Sequence, residues 1–283
     1  MKERALAFRR DRGLIGILTQ PKTPHAQLPT VILLNAGLIH RIGPYRLHVD
    51  LARHFARLGF SSLRFDLSGI GDSRLQRDSS SYEERINNDI CHAMQAAEEA
   101  GCHNQFVAFG LCTGARNAQS IAVADRRVVG AILVDPFGYP TIGYKIWRIA
   151  PRIIDPRASL RFAARFLRRH KGAQLPTAQD LAPNPEQQEV FNNEFPPRAA
   201  TEEQLRELNN RGTKLLFVYT GGATEYFNHR SQFYAFFPSL KNAQNIGLVH
   251  LPDTDHTFTC LHHRRDFVRL AGDWLSASFT TTG

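Results

Sequence analysis

The chain has little cysteine and no long apolar run. Only four cysteines occur in 283 residues (Cys91, Cys102, Cys112 and Cys260), and no two of them form a C-x-x-C pair. We therefore expect neither a structural zinc site nor a disulfide framework. No stretch approaches the ~20 apolar residues that span a bilayer. The charged opening "MKERALAFRRDRGLIGILTQ" lacks the apolar stretch of a signal peptide. These absences predict a reduced, cytoplasmic protein with no membrane span, metal or cofactor.

Acidic residues are scarce in one segment. Residues 145–171 carry nine Lys or Arg residues against Asp155 alone, a net +8 of the +9 carried by the whole chain. Such a concentrated basic surface predicts an anionic partner, although a solvated helix face remains the alternative. Nucleic acid is not the expected partner, because the segment lacks interleaved aromatics on a recognisable module. The basic residues are Lys145, Arg148, Arg152, Arg157, Arg161, Arg165, Arg168, Arg169 and Lys171.

Apolar runs of strand length recur along the chain, separated by stretches with helical periodicity. The runs are continuous, as expected of parallel strands buried on both faces, and strand–helix alternation favours a doubly wound α/β sheet. The opening sequence predicts two antiparallel edge strands before it. The six later runs are "VILLN" (31–35), "SSLRFDL" (61–67), "QFVAFGL" (105–111), "VVGAILVD" (128–135), "KLLFVYT" (214–220) and "IGLVHL" (246–251).

One interval interrupts this alternation. Almost 80 residues between Asp135 and Lys214 contain no convincing strand, and Pro-rich joints flank helix-like segments there. We interpret residues 137–205 as a helical cap inserted between two late strands, with residues 1–136 and 206–283 forming the α/β core.

The sequence "FGLCTGA" places Cys112 between Gly110 and Gly114, after the run "QFVAF" and before the helix-compatible "ARNAQSIAVA". This is the G-x-S-x-G nucleophile elbow with cysteine in place of serine. The elbow requires small residues two positions either side of the nucleophile, where the backbone is crowded and strained. The pattern makes Cys112 the candidate nucleophile, against the alternative of a buried cysteine in an ordinary turn.

A nucleophile of this kind needs a histidine and an acid. His256, in the loop after the last apolar run, is the candidate base. The acid is expected after "KLLFVYT", where Glu225 is the only carboxylate, so we favour Glu225 over Asp135 at the end of the preceding run. A Cys–His dyad without an acid remains open. For the oxyanion hole, we expect the N–H of Thr113 together with that of Gly37 or Leu38.

These motifs resemble the α/β-hydrolase fold superfamily, in its serine-aminopeptidase-like branch. The matching stretches are "LNAGLIHRIGPYR", "GFSSLRFDLSGIGDS", "FGLCTGA" and "LPDTDHTF", which cover the chain from residue 31 onward except the cap. The resemblance implies an α/β-hydrolase fold with a mostly parallel sheet. It also implies a loop-shaping role, and not a catalytic one, for Asp66, Gly69, Gly71 and Ser73. The departures are Cys112 for serine and the missing aspartate.

A thiol at a helix N-terminus beside an imidazole has a lowered pKa and needs less help from an orienting acid than a serine hydroxyl does. Thiolate attack on a thioester gives another thioester, so the step is nearly isoenergetic. Together with this chemistry and the basic cap, the resemblance implies an acyl transferase or thioesterase acting on thioesters of coenzyme A or an acidic acyl carrier protein, held through the cap. The alternatives are a hydrolase of small esters or lactones, and a non-catalytic binding protein of the same fold.

Overall fold

The structure is a computed structural model that describes residues 1–23, 27–76, 80–139, 141, 143–144 and 195–280. Most of the predicted cap (137–205), including the whole basic segment 145–171, lies outside the described residues. The cap and its boundaries therefore stay predictions. Within the described ranges, none of the helices combines the length and apolar character that crossing a bilayer requires.

The described chain forms one eight-stranded sheet in the order β1-β2-β4-β3-β5-β6-β7-β8. Strand β2 pairs antiparallel with both β1 and β4, and every other pairing is parallel. The predicted antiparallel opening and the mostly parallel sheet are both confirmed. The strands are β1 (Lys2–Phe8), β2 (Leu14–Gln20), β3 (Thr30–Leu33), β4 (Ser62–Phe65), β5 (Phe106–Leu111), β6 (Val128–Val134), β7 (Lys214–Thr220) and β8 (Ile246–Leu251).

Helices cover both faces of this sheet. In β5, Phe106 and Ala108 pack into one core cluster with residues of α2, α3 and α4, while Val107 and Phe109 pack into the other with residues of α1 and α6. This two-sided burial explains why the strands appear in the sequence as unbroken apolar runs. The helices of the described chain are α1 (Leu47–Arg57), α2 (Tyr82–Glu99), α3 (Thr113–Ala124), α4 (Arg198–Asn210), α5 (Gln232–Phe236) and α6 (Leu261–Phe279).

The parallel strands bring their carboxyl ends to one edge of the sheet. The loop after β3, the tight turn after β5 and the residue after β6 meet there, and so do the loops after β7 and β8. Adjacent tips are linked by backbone hydrogen bonds from Cys112 N to Val134 O and from Asp135 N to Val218 O, each 2.9 Å long. Polar side chains at this edge are therefore close in space although distant in sequence.

Candidate active site

Cys112 occupies a strained turn between β5 and α3. Its backbone has φ 58° and ψ −119°, a conformation that non-glycine residues rarely adopt. The flanking glycines are required by close packing, because a Cβ on Gly110 would lie 2.0 Å from the carbonyl oxygen of Gly114. A Cβ on Gly114 would lie 2.4 Å from the carbonyl oxygen of Asn35. Strain of this kind persists where the surrounding structure imposes it, and it is concentrated at functional sites.

His256 lies in the loop after β8 and is held by Asp135. The Nδ1 atom of His256 and Oδ2 of Asp135 are 2.7 Å apart. The Asp135 carboxylate is fully buried and also accepts hydrogen bonds from the backbone N–H (2.7 Å) and the hydroxyl (2.6 Å) of Thr220. With Nδ1 donating to a carboxylate, Nε2 is the ring atom left to face the thiol.

Charge stabilises both members of the Cys112–His256 pair. The hydrogen bond to Asp135, and then the one to Cys112, raises the pKa of His256 to about 10 against the opposing effect of burial. Burial raises the pKa of the Cys112 thiol, but several effects together outweigh burial and bring it below its usual value. These are the hydrogen bond and charge of His256, the N–H of Thr113 and the charge of Arg116. The arrangement therefore stabilises a thiolate–imidazolium pair relative to an isolated thiol and imidazole.

Two other cysteines provide a contrast within the same chain. Burial raises the pKa of the Cys91 thiol, with a further contribution from the charge of Asp125. Burial also raises the pKa of the Cys102 thiol, against the hydrogen bonds that it receives. Among these three buried or half-buried thiols, only Cys112 lies in surroundings that stabilise the thiolate.

The structure pairs His256 with Asp135 and not with the favoured Glu225. Glu225 is exposed, and its backbone carbonyl accepts a hydrogen bond from the hydroxyl of Tyr144. Strand β7 ends in Thr220, and the next residues form a short turn in which a Cβ on Gly222 would lie 2.5 Å from the backbone of His256. Gly222 is thus the residue of this segment that lies against His256, and Glu225 follows it further along the chain. The sequence feature that indicated Asp135 was its position at the end of the apolar run that forms β6, the strand next to β5.

The loop after β3 brings the expected oxyanion donors to the elbow. The N–H of Gly37 donates to Oγ1 of Thr113 at 2.8 Å, so the two predicted elements of the hole are in direct contact. The neighbouring Leu38 is exposed on the same loop, with 43% of its surface accessible. The Thr113 N–H lies close enough to the Cys112 sulfur to lower the pKa of the thiol.

A buried carboxylate fixes the shape of this loop. Asp66 accepts hydrogen bonds from the backbone N–H of Arg41 (2.6 Å), from the Arg41 guanidinium and from the Asn35 amide (3.3 Å). Asn35 also donates to the carbonyl of Ile39 and accepts from the N–H of Leu67, at 2.9 and 2.8 Å. Arg41 was not identified from the sequence, because a lone arginine in a loop has no local pattern that reveals its partner.

A cavity of about 630 Å³ opens beside the elbow. Thr113 and Phe137 are among its lining residues. Ile86 and Pro197 provide apolar walls, and other lining residues, such as Asn87, are polar. Its volume lies within the range of small-molecule sites. The cavity reaches Thr113, the residue that follows Cys112, but neither Cys112 nor His256 is among its lining residues.

Sequence comparisons give no match: no protein-family model matches the chain, and no curated protein matches it. Solved structures do match. Est1E from Butyrivibrio proteoclasticus is 15% identical with a TM-score of 0.60, over 98% of this chain and 99% of that one. An esterase from Pyrococcus furiosus is 14% identical with a TM-score of 0.65, over 98% and 91%. A dienelactone hydrolase from Anabaena variabilis is 14% identical with a TM-score of 0.56, over 98% and 97%.

Identities this low are informative about architecture alone. The matches nevertheless extend over nearly the whole chain, and they fit a mostly parallel eight-stranded sheet flanked by helices. The chain therefore has the α/β-hydrolase fold.

Proposed function

We propose that this protein is a cysteine-nucleophile acyl transferase or thioesterase that acts on acyl thioesters through an acyl-enzyme intermediate. One observation carries the proposal: a thiol at a strained strand-to-helix turn lies close enough to a histidine for the histidine to lower the thiol pKa, and the other ring nitrogen of that histidine lies 2.7 Å from a buried carboxylate. A nucleophile, a base and an orienting group in this order are what covalent acyl transfer needs. The resemblance of the motifs to the serine-aminopeptidase-like branch remains a prediction.

In the acylation step, the Cys112 thiolate attacks the thioester carbonyl and forms a new carbon–sulfur bond. The carbonyl π electrons move to oxygen, where backbone donors of the elbow and the loop after β3 stabilise the negative charge. When the intermediate collapses, the bond to the leaving sulfur breaks. The imidazolium of His256 then gives its Nε2 proton to the leaving thiolate, so the acyl-enzyme forms beside a neutral imidazole.

In the second step, neutral His256 takes a proton from the acceptor, which attacks the Cys112 acyl group. A thiol or amine acceptor completes a transfer, and water completes a hydrolysis. Cys112 leaves as a thiolate beside an imidazolium, which restores the resting pair. Asp135 stays ionised throughout and stabilises the imidazolium through Nδ1–H.

The basic segment 145–171 supports a choice of donor, although it lies outside the described residues. Coenzyme A and acyl carrier proteins are both anionic, and a net +8 in one segment attracts either of them. We therefore propose that Arg148, Arg152 and their basic neighbours hold the carrier. Association should weaken strongly as ionic strength rises.

Mass spectrometry of the intact protein tests the acyl-enzyme directly. After incubation with a panel of acyl-coenzyme A and acyl-carrier thioesters, we expect one acyl adduct on the wild type and none on Cys112→Ala. Cys91→Ala, which removes a thiol of raised pKa, is the matched control and should keep the adduct. An adduct that persists on Cys112→Ala would overturn the assignment of the nucleophile.

Hydrolysis of small esters or lactones is the second candidate. The names of two structural neighbours, an esterase and a dienelactone hydrolase, favour this alternative. Turnover of the acyl-enzyme with water, compared with thiol and amine acceptors at equal concentration, separates the two. If Cys112 alkylates no faster than free cysteine at pH 6–7, both enzymatic proposals are overturned and a binding protein of this fold remains.

A further inference from the structure

The side chain of Thr113 links the two walls of the expected oxyanion hole. Thr113 directly follows the nucleophile, and its Oγ1 accepts the N–H of Gly37 at 2.8 Å across a sequence separation of 76 residues. The side chain is buried, with 7% of the residue exposed, and it lines the cavity beside the elbow. Thr113 therefore contacts the loop after β3 on one side and borders this cavity on the other.

This contact changes which donors face the substrate. A backbone amide has one proton, and that of Gly37 is directed to Oγ1 of Thr113. A hydroxyl has one proton to donate and two lone pairs to accept. Within the described part of the chain, Oγ1 of Thr113 has Gly37 as a donor but no acceptor for its own proton. The Thr113 hydroxyl is thus available as a donor, whereas the N–H of Gly37 is already used in its hydrogen bond to Thr113.

We propose that the Thr113 hydroxyl is itself a donor of the oxyanion hole, with Gly37 as the positioning residue behind it. The inference rests on the proposed function. As negative charge develops on the carbonyl oxygen, the backbone N–H and the side-chain O–H of Thr113 both donate to it. The Gly37 N–H polarises the hydroxyl and strengthens its donation, as in other hydrogen-bond chains in a low-dielectric site. Thr113 is then a catalytic residue through two of its own groups.

Two substitutions of similar shape test this role. Thr113→Val keeps the volume and removes the hydroxyl, and Thr113→Ser keeps the hydroxyl. The first readout is the single-turnover acylation of Cys112 by phenyl thioacetate, which passes through an oxyanion. The second is alkylation of Cys112 by iodoacetamide, which has no oxyanion but needs the same thiolate. A purely structural role of Thr113 would change both rates together.

We expect Thr113→Val to slow acylation by about 100- to 1,000-fold, as for loss of one donor in comparable sites. Its alkylation rate should stay within about threefold of wild type, and Thr113→Ser should acylate within about tenfold. If Thr113→Val acylates as fast as wild type or faster, the proposal is overturned. The hydroxyl would then serve only as the acceptor of the Gly37 N–H. Parallel losses in both rates would overturn it in favour of a structural role. If wild-type protein forms no adduct with any thioester, the proposed function itself fails.

Discussion

Replacing Asp135 with asparagine tests the electrostatics of the site most directly. The substitution keeps the shape of the side chain and removes the charge that His256 contacts at 2.7 Å. The pKa of His256 stands at about 10 against an ordinary 6.5, and the hydrogen bond to Asp135 is the largest cause of that rise. We therefore expect the variant to lower the pKa of His256 by roughly 1–3 units, as for the loss of an adjacent opposite charge; each unit corresponds to about tenfold in the protonation equilibrium.

The consequence for the thiol follows from the same coupling. The charge and hydrogen bond of His256 hold the pKa of Cys112 down against burial, so a less basic imidazole leaves more neutral thiol at pH 7. We expect iodoacetamide to alkylate Cys112 roughly 10- to 100-fold more slowly in Asp135→Asn than in wild type. The alkaline limit of acylation should also move down from about pH 10.

The assay is the rate of alkylation against pH, followed by mass spectrometry in a Cys260→Ser background so that the exposed Cys260 does not contribute. Glu225→Gln is the matched control, because it removes the other proposed acid, and it should leave the profile unchanged. The reasoning is refuted if Glu225→Gln reproduces the loss, or if Asp135→Asn retains the wild-type profile while its far-UV circular dichroism shows a native fold.

Three further outcomes are expected. Cys112→Ser should lower the pKa of His256, measured by NMR titration of the imidazole, yet leave it above 6.5, since Asp135 remains its strongest partner; a value at or below 6.5 would contradict this ranking. Gly114→Ala should lower the free energy of unfolding by about 1–3 kcal/mol, measured in urea, because its Cβ would meet the Asn35 carbonyl at 2.4 Å; wild-type stability would show that the elbow can relax. The stability difference between wild type and His256→Gln should be greatest below about pH 6.5 and decline as pH rises toward 10, because the folded pKa of His256 lies above its unfolded value; a difference that grows with pH would have the wrong sign.

The sheet was predictable because its strands are buried on both faces. Residues such as Val107 and Ala108 point to opposite core clusters, so they appear in the sequence as consecutive apolar positions. The elbow was predictable for a related reason, since Gly110 and Gly114 are both excluded from bearing a side chain by contacts within a few residues or with the adjacent loop. Constraints of this kind restrict which residue types can occupy neighbouring positions, so they are visible as local sequence patterns.

The pairing of His256 with Asp135 produces no local sequence pattern. This pairing depends on the tip of β6 lying next to β5 and on the chain after Thr220 passing His256 at Gly222. Both are properties of the assembled sheet edge. The contact from Gly37 to Thr113 is of the same type, because neither residue alone indicates that an amide and a hydroxyl from distant segments meet. Long-range polar pairing at strand tips was therefore beyond what the sequence could specify.

The buried carboxylate of Asp66 has a consequence for protein engineering. It fastens the loops that follow β3 and β4 through Arg41 and Asn35, so the packing of this sheet edge and the aim of the amides beside Cys112 depend on the same few contacts. Thermostabilising substitutions in these two loops would therefore also shift the groups around Cys112. Stabilising substitutions at the opposite ends of the strands would leave these contacts unchanged.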